Sequence, residues 1–428
     1  MQEHTHGRIT TAAVVLEGVV RIHAQEAAGL QDTRTALVRA PQVNLLTLHR
    51  ADDRLAAHLD GLAVAGEQAW PFCEALLETP FSGAAFVAAV RAIDDQHEER
   101  LDRLFVLAEA APEARRGLIS AFGWLERTQL RGVVAELIKT RDGLKRTVGL
   151  SACAMHRVDP QGALTDWLAD PNPKFRARAL RAAGELGRQD LRAPCAATIV
   201  DEDPDCQFWG GWSAVLLGNR DRALEAVRAM GHAPGPHRAR AFRLALHAMS
   251  ASDAEGLLRE LAREPANLRW VIQGSGIIGN PGHVPWLIGH MNKPETARMA
   301  GEAFTLITGA DLDALQLWRA QPEDFESGPS EDPNDENVEM DPDEGLMWPD
   351  HEKVQEWWVA NGSRFQKGTR YFMGAPVTRE QCTGVLKNGY QRQRILAAHH
   401  LCLLEPGTPL FNTSAPAWRQ QRLLVGKT

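Results

Sequence analysis

The sequence predicts an all-α protein: an α-solenoid of stacked helix pairs, with an N-terminal helical cap and a C-terminal helical extension. Three observations predict it. From Ala111 onward a polar turn, an Ala-rich helix, a short turn and a second, shorter helix recur about every 30 residues. Ala, Leu and Arg, all good helix formers, dominate the composition. Alternating β-branched and aromatic residues, the mark of strands, are scarce; there are only 2 tyrosines among 428 residues.

The clearest repeat is Pro171–Val200. Phe175, Ala179, Ala182, Ala183 and Leu186 fall at helical spacing on one face, while Arg176, Arg178 and Arg181 fall largely on the other. Gly187 is placed to end the first helix, and Leu191, Ala197 and Ile199 supply the apolar side of the second. Ala111–Thr140, Arg141–Asp170, Asp201–Met230, Gly231–Arg263, Glu264–Met291 and Asn292–Ala320 align with it, making seven units. One helix pair cannot bury its own apolar stripe, so stacking has to form the core. The Asp-Pro type of turn, Ala-rich helix and glycine stop resemble HEAT-like repeats of the bilin-lyase type, over about half the chain. The resemblance implies a fold and not a function, because such repeats occur in lyases, scaffolds and DNA-repair enzymes alike.

Residues 1–110 are helical with another rhythm and read as the cap. Ile9–Leu30 is predicted as one helix whose Val14, Val15, Leu16, Val19, Val20 and Ile22 feed a core. A second helix should start after Pro41 and end at Gly66, followed by helices over Ala69–Thr79, Ser82–Asp94 and Gln96–Ala110. The repeat solenoid occupies 111–320. Residues 321–352 hold 13 acidic residues and no Lys or Arg, which predicts a flexible acidic loop too polar to bury. Residues 353–428 form the C-terminal segment: a helix around Val354–Trp358, a helix pair from Thr378, and a tail laying Phe411 and Trp418 on the last helices.

Two stretches carry a narrower resemblance. Val19–His23 with Gln25 and Glu26, then Asp52–Leu62 and Gly66, and at the other end Gly389–Arg394 with His399 and His400, are similar to an uncharacterised proteobacterial family. Members tend to be encoded beside type VI secretion components and their effector-loading proteins. The resemblance implies a context, not a chemistry.

Bulk properties narrow the function. A formal net charge of −8 and a pI near 6.0 argue against a nucleic-acid binder that relies on overall charge. The six cysteines form no CxxC pair and read as buried, reduced thiols of a cytoplasmic protein. The N-terminus lacks the pattern of a signal peptide, and no run of 18 apolar residues exists to span a membrane.

Each chemical hint has a plainer reading. His49, Asp52, Asp53 and His58 share a helical stretch, but with no matching half elsewhere they read as a polar network with Arg54 as ion-pair partner. His399 and His400 are adjacent and point about 100° apart on a helix, so one should pack and one face solvent. Residues 331–345 lack the order of a calcium loop. Gly274, Gly276 and Gly279 match G-x-G-x-x-G by spacing, but the repeat register puts them in a helix and its end. Gly426-Lys427-Thr428 is a P-loop fragment without its loop or helix. No catalytic residue, cofactor or metal is expected.

The expected function is therefore a non-enzymatic, protein-binding scaffold. Its partner would be another protein, such as a secreted effector or toxin, served by an adaptor or blocked by an immunity protein. The second helices should line the binding surface, carrying Arg131, Asp166, Arg192, Arg222, Arg228, Arg259 and Arg319 outward. Most tryptophans (Trp124, Trp167, Trp270, Trp286, Trp318) read as core; Trp209 and Trp212 read as a partly exposed pair of binding anchors. The alternative is an enzyme of the HEAT-like DNA glycosylase type, suggested by Arg-rich first helices such as those holding Arg176, Arg178, Arg238 and Arg240.

Overall fold

The computed structural model describes residues 15–323, 325–328 and 339–425. The N-terminal ten residues, positions 9–14 of the first expected helix, 331–338 of the acidic run and Gly426-Lys427-Thr428 lie outside the described residues. Of the described residues, 69% are helical. Contacts divide it into two compact units, Met1–Thr35 with Arg50–Glu136, and Ala36–His49 with Leu137–Thr428.

The first unit is built from α1 (Glu17–Leu37), α2 (Leu45–Ala65), α3 (Trp70–Leu76), α4 (Ser82–Asp94), α5 (Glu98–Ala110) and α6 (Pro112–Trp124); α1 and α2 each run on into the second unit. Leu16, Val19 and Ile22, expected in the core, are exposed. The buried face of α1 carries Val20, Ala24, Ala27, Ala28, Gln31 and Arg34 instead. Small side chains win there because α4 comes very close: a β-carbon on Gly83 would run into the carbonyl of Ala28. Asp52 is fully buried, and its partner is Arg34 at 2.6 Å, not Arg54. His58 pairs with His23, their Nδ1 atoms 3.2 Å apart.

In the second unit α7 (Val133–Lys139, whose first turn belongs to the first unit) leads into alternating long and short helices. The first helices are α8 (Gly143–His156), α10 (Pro173–Leu186), α12 (Pro204–Leu216), α14 (Arg238–Ala248), α16 (Leu268–Ile278) and α18 (Pro294–Thr308). The second helices are α9 (Gly162–Trp167), α11 (Arg192–Ala197), α13 (Arg222–His232), α15 (Ala251–Leu261) and α17 (Val284–His290). Local chemistry sets their starts. Asp142, Asn172 and Asp203 cap α8, α10 and α12 with side-chain oxygens, and proline opens α10, α12 and α18. Successive first helices pack side by side, as where Ser213 Oγ on α12 donates to the carbonyl of Leu180 on α10 at 2.7 Å. One apolar core runs from Leu150 to Ile278.

The last repeat departs from the expected pattern. Residues 311–319 form turns rather than a second helix. The helix that packs there is α19 (His351–Asn361), whose buried Val354 joins the core of Ile272, Met299 and Phe304, with Trp357 edge-on to Phe304 at 5.5 Å. The acidic stretch is thus an insertion within the last helix pair. Its described part is not free of the core: Asp343, 5% exposed, receives two hydrogen bonds from Arg269 (2.9 and 2.7 Å), and Asp341 two from Arg298 (2.6 and 3.0 Å). Phe325 stacks edge-on to Trp348 at 4.7 Å. The expectation of a wholly unpacked loop overlooked that paired guanidinium forks compensate a carboxylate for burial.

The chain ends with a short hairpin, β1 (Tyr371–Phe372) and β2 (Ala375–Pro376), then α20 (Arg379–Asn388), α21 (Gln391–Leu404) and α22 (Ala417–Val425). All six cysteines are buried, and among the described residues they form no disulfide. Burial pushes the thiols of Cys73, Cys195, Cys206 and Cys382 up to about 12.

Candidate interaction surface

The first helices of the second unit are covered on two sides. The second helices pack on one, and residues 370–412 lie along their C-terminal ends on the other. An α-helix ends with carbonyls that lack intrahelical donors, and the C-terminal segment supplies donors to one helix after another. Arg370 donates to the carbonyls of His247 (2.7 Å), Leu246 and Met249 (both 3.2 Å) at the end of α14. The amide of Tyr371 donates to Gly279 (2.8 Å) after α16, and those of Met373 and Gly374 to Leu306 (2.7 Å) and Ile307 (3.1 Å) in α18. Further on, Leu410 N donates to Glu185 O (3.0 Å) in α10, and Asn412 to Met155 O (3.2 Å) in α8. The tail therefore reaches the earliest repeats of the unit as well as the last helices: Phe411 is buried in one cluster with Val385, Leu396 and Leu401, as expected, and Trp418 is half-buried.

Two glycines make this close approach possible. Gly187 (φ +71°) and Gly279 (φ +67°) end their helices in the left-handed conformation that favours glycine. A β-carbon at either would also collide with the strap, at the carbonyls of Gly407 and Tyr371 respectively.

The strap buries polar groups beneath it. Glu185 binds Arg178 and Arg181, each at 2.9 Å. Burial pushes the carboxyl up, but Arg178, Arg181 and Arg157 outweigh it and hold the group down at about 2. His400 is 4% exposed and stacks on His247 with ring centroids 4.3 Å apart. His399, expected to face solvent, is partly enclosed, edge-on to Trp212 at 6.3 Å. Burial, with Arg243 beside His399 and Arg370 beside His400, brings both imidazoles down to about 3. The Gly389–Arg394 stretch is largely structural. Gln391 donates to Val38 O (3.1 Å) and Thr413 O (3.0 Å), and the fully buried Arg394 donates to Leu386 O (2.8 Å) and Gln420 (2.5 Å). Burial pulls Arg394 down to about 10.

The residues expected to bind a partner fall into two groups. Arg131, Arg192, Arg222 and Arg259 are exposed, and among the described residues none of the four has an ion-pair partner. Asp166 and Arg319 are exposed too, while Arg228 is half-buried and paired with Glu225 at 3.2 Å. Trp209 is half-buried, but Trp212 is only 5% exposed, so the expected exposed pair is one tryptophan leaning on another, 5.4 Å apart and edge to face. Trp212 is buried because α21 packs across α12.

Around Trp209 the structure assembles what sequence reasoning missed. The Arg181 guanidinium lies 4.5 Å from the Trp209 ring centroid and that of Arg240 lies 5.9 Å from it. Arg240 is within electrostatic reach of Arg181 and Arg39, and Arg243 of Arg240, Arg392 and Glu302. Arg392 donates to Glu302 at 3.3 and 3.1 Å. Arg240 was legible as part of an Arg-rich first helix. Nothing in the sequence told that α21 would bring Arg392 within reach of Arg243.

Other features are engaged internally. Gly274 and Gly276 lie inside α16 and Gly279 caps it, as the repeat register requires. In a cavity of about 160 Å³ lined by Glu255, Asn280 and Arg370, Asn280 donates to Glu255 at 2.5 Å and Arg370 to the carbonyls at the end of α14. Among the described residues no group of three or more His, Cys, Asp or Glu side chains is arranged to hold a metal, and no helix is long and apolar enough to cross a membrane.

Residues 162–247, spanning α9 to α14, match the HEAT repeats family. The fold is a HEAT-like α-solenoid. Comparisons with curated proteins and with solved structures return no match. HEAT repeats are commonly protein-interaction scaffolds, and the two arginine-bearing surfaces of this HEAT-like array are where such an interaction would be sought.

Proposed function

We propose that this HEAT-like protein is a protein-binding scaffold. One observation carries the reading: the second helices present Arg192, Arg222 and Arg259 to solvent without ion-pair partners among the described residues, whereas most arginines on the first helices hold a carboxylate. Arginine is enriched at protein interfaces because its flat fork makes several directed hydrogen bonds and packs on aromatic rings. The resemblance of the two chain ends to a family encoded beside type VI secretion components supports a narrower version. In it the scaffold is an accessory protein of an effector cluster, an adaptor ahead of an immunity protein, acting in the cytoplasm.

The test is co-expression with each protein encoded beside it, followed by co-purification. Charge reversal by Arg192→Glu with Arg222→Glu should weaken capture of the true partner while helicity and thermal stability stay unchanged. Equal capture by the folded double variant would move the interface off the second helices.

A further inference from the structure

The first-helix layer contains an anomaly of charge. Arg146, Arg176, Arg178, Arg181, Arg269 and Arg298 are each within 2.6–2.9 Å of a carboxylate oxygen. On α14, Arg240, which is exposed, and Arg243, which is half-buried, have no ion pair among the described residues. Burial lowers the pKa of both, and like charges add to this: Arg181 and Arg39 act on Arg240, and Arg392 and Arg240 act on Arg243. Among the described residues Glu302 is the one acidic group acting on Arg243, and Arg392 already holds it. Glu185, beneath Arg181, is shared with Arg178. Five arginines (39, 181, 240, 243 and 392) are thus linked by like-charge interactions, two of them, Arg181 and Arg240, over the half-buried Trp209, in a chain whose net charge is −8.

A guanidinium withdrawn from water without an anion is unfavourable. Here two further cations, Arg240 and Arg392, act on Arg243, so the cluster is stabilised by an anion from outside. Arginine forks match carboxylates bidentately, and their flat faces stack on an indole, as Arg181 already does. We propose that Arg240, Arg243 and Arg392 with Trp209 form a binding site for an acidic peptide segment of a partner protein. This rests on the scaffold reading above and adds the chemistry of what is bound. The overall negative charge repels a long polyanion such as nucleic acid, whose binding draws on the potential of the whole surface; a short acidic segment needs only the local field.

Fluorescence anisotropy of a labelled hexaglutamate peptide on the full-length protein at low salt tests it. The wild type should bind. Arg240→Gln with Arg243→Gln should weaken binding roughly 10-fold or more, the loss of at least one charge-assisted hydrogen bond, with no fall in melting temperature. Arg192→Glu with Arg222→Glu should bind the peptide as the wild type does. Should the double glutamine variant fold poorly, Arg240→Lys with Arg243→Lys keeps the charge and should still lose several-fold through the missing forks. No binding by the wild type, equal binding by the folded glutamine or lysine variant, or a 12-nucleotide single-stranded DNA outcompeting the peptide would each overturn the proposal. If hexaglutamate fails while partner capture still depends on Arg192 and Arg222, the acidic-peptide site falls and the scaffold reading stands.

Discussion

Arg157 donates from Nε to the backbone carbonyl of Leu410 at 2.6 Å, across 253 residues of sequence. Arg157 itself ends α8 in the left-handed conformation, φ +55°, so the end of an early repeat helix and the last stretch of chain hold each other in place. The same relationship, a helix end met by the C-terminal strap, recurs at α10, α14, α16 and α18.

Substituting the glycines at these ends should therefore cost more than backbone strain alone. Gly66→Ala, at φ +57° with open space around it, should lose about 1–2 kcal/mol. Gly187→Ala and Gly279→Ala add a collision with the strap and should lose about 3 kcal/mol or more. Urea unfolding of the three variants makes the comparison; equal losses would mean the strap bears little on the helix ends.

Glu185→Gln should leave Arg178 as a buried charge without its counterion and destabilise by about 3–5 kcal/mol. Since the folded carboxyl titrates at about 2 rather than 4.5, its contribution is present above pH 4.5 and lost as pH falls from there toward 2. Urea midpoints measured across that window should fall less steeply in the variant than in the wild type.

His399 and His400 act in a higher window. Their folded values near 3 lie below the ordinary 6.5, so the unfolded chain binds more protons and stability declines as pH drops from 6.5 toward 3. His400→Phe keeps a ring against His247 and Phe372 and removes one proton site. Its stability between pH 6.5 and 4.5 should depend less on pH; an unchanged slope would place the titration elsewhere.

The acidic insertion offers a fourth test. Replacing residues 323–345 with a short Gly-Ser linker removes Phe325, Asp341 and Asp343, and should lower the melting temperature by several degrees because Arg269 and Arg298 lose their carboxylates. Asp343→Asn alone should reproduce part of the drop. An unchanged melting temperature in both would show that these pairs contribute nothing to stability.

What was legible in the sequence follows from what repeats and what does not. The helix pairs stand out because Phe175, Ala179, Ala182 and Ala183 share one face and because proline, asparagine and glycine mark the ends. The strap left no such mark, since its donors meet backbone carbonyls, and a carbonyl is the same at Met155 as at Leu246. Covering the first helices also decided the fate of side chains read as outward: Arg178 became a buried partner of Glu185, and Trp212 became core. The missing second helix at 311–319 was misplaced because α19 lies beyond the acidic insertion, where periodicity cannot be followed. Around Trp209, single arginines could be seen; which of them would be left without a carboxylate depends on the packing of α14 and α21.

Repeat arrays ordinarily lengthen and shorten by gain or loss of whole units, since each touches only its neighbours. Here the span from Arg370 to Asn412 meets the ends of α14, α16 and α18 and then returns to α10 and α8. Inserting or excising one helix pair between α8 and α18 would leave that span a repeat too short or too long. This array has a fixed number of units, set by its own C-terminal segment as a ruler.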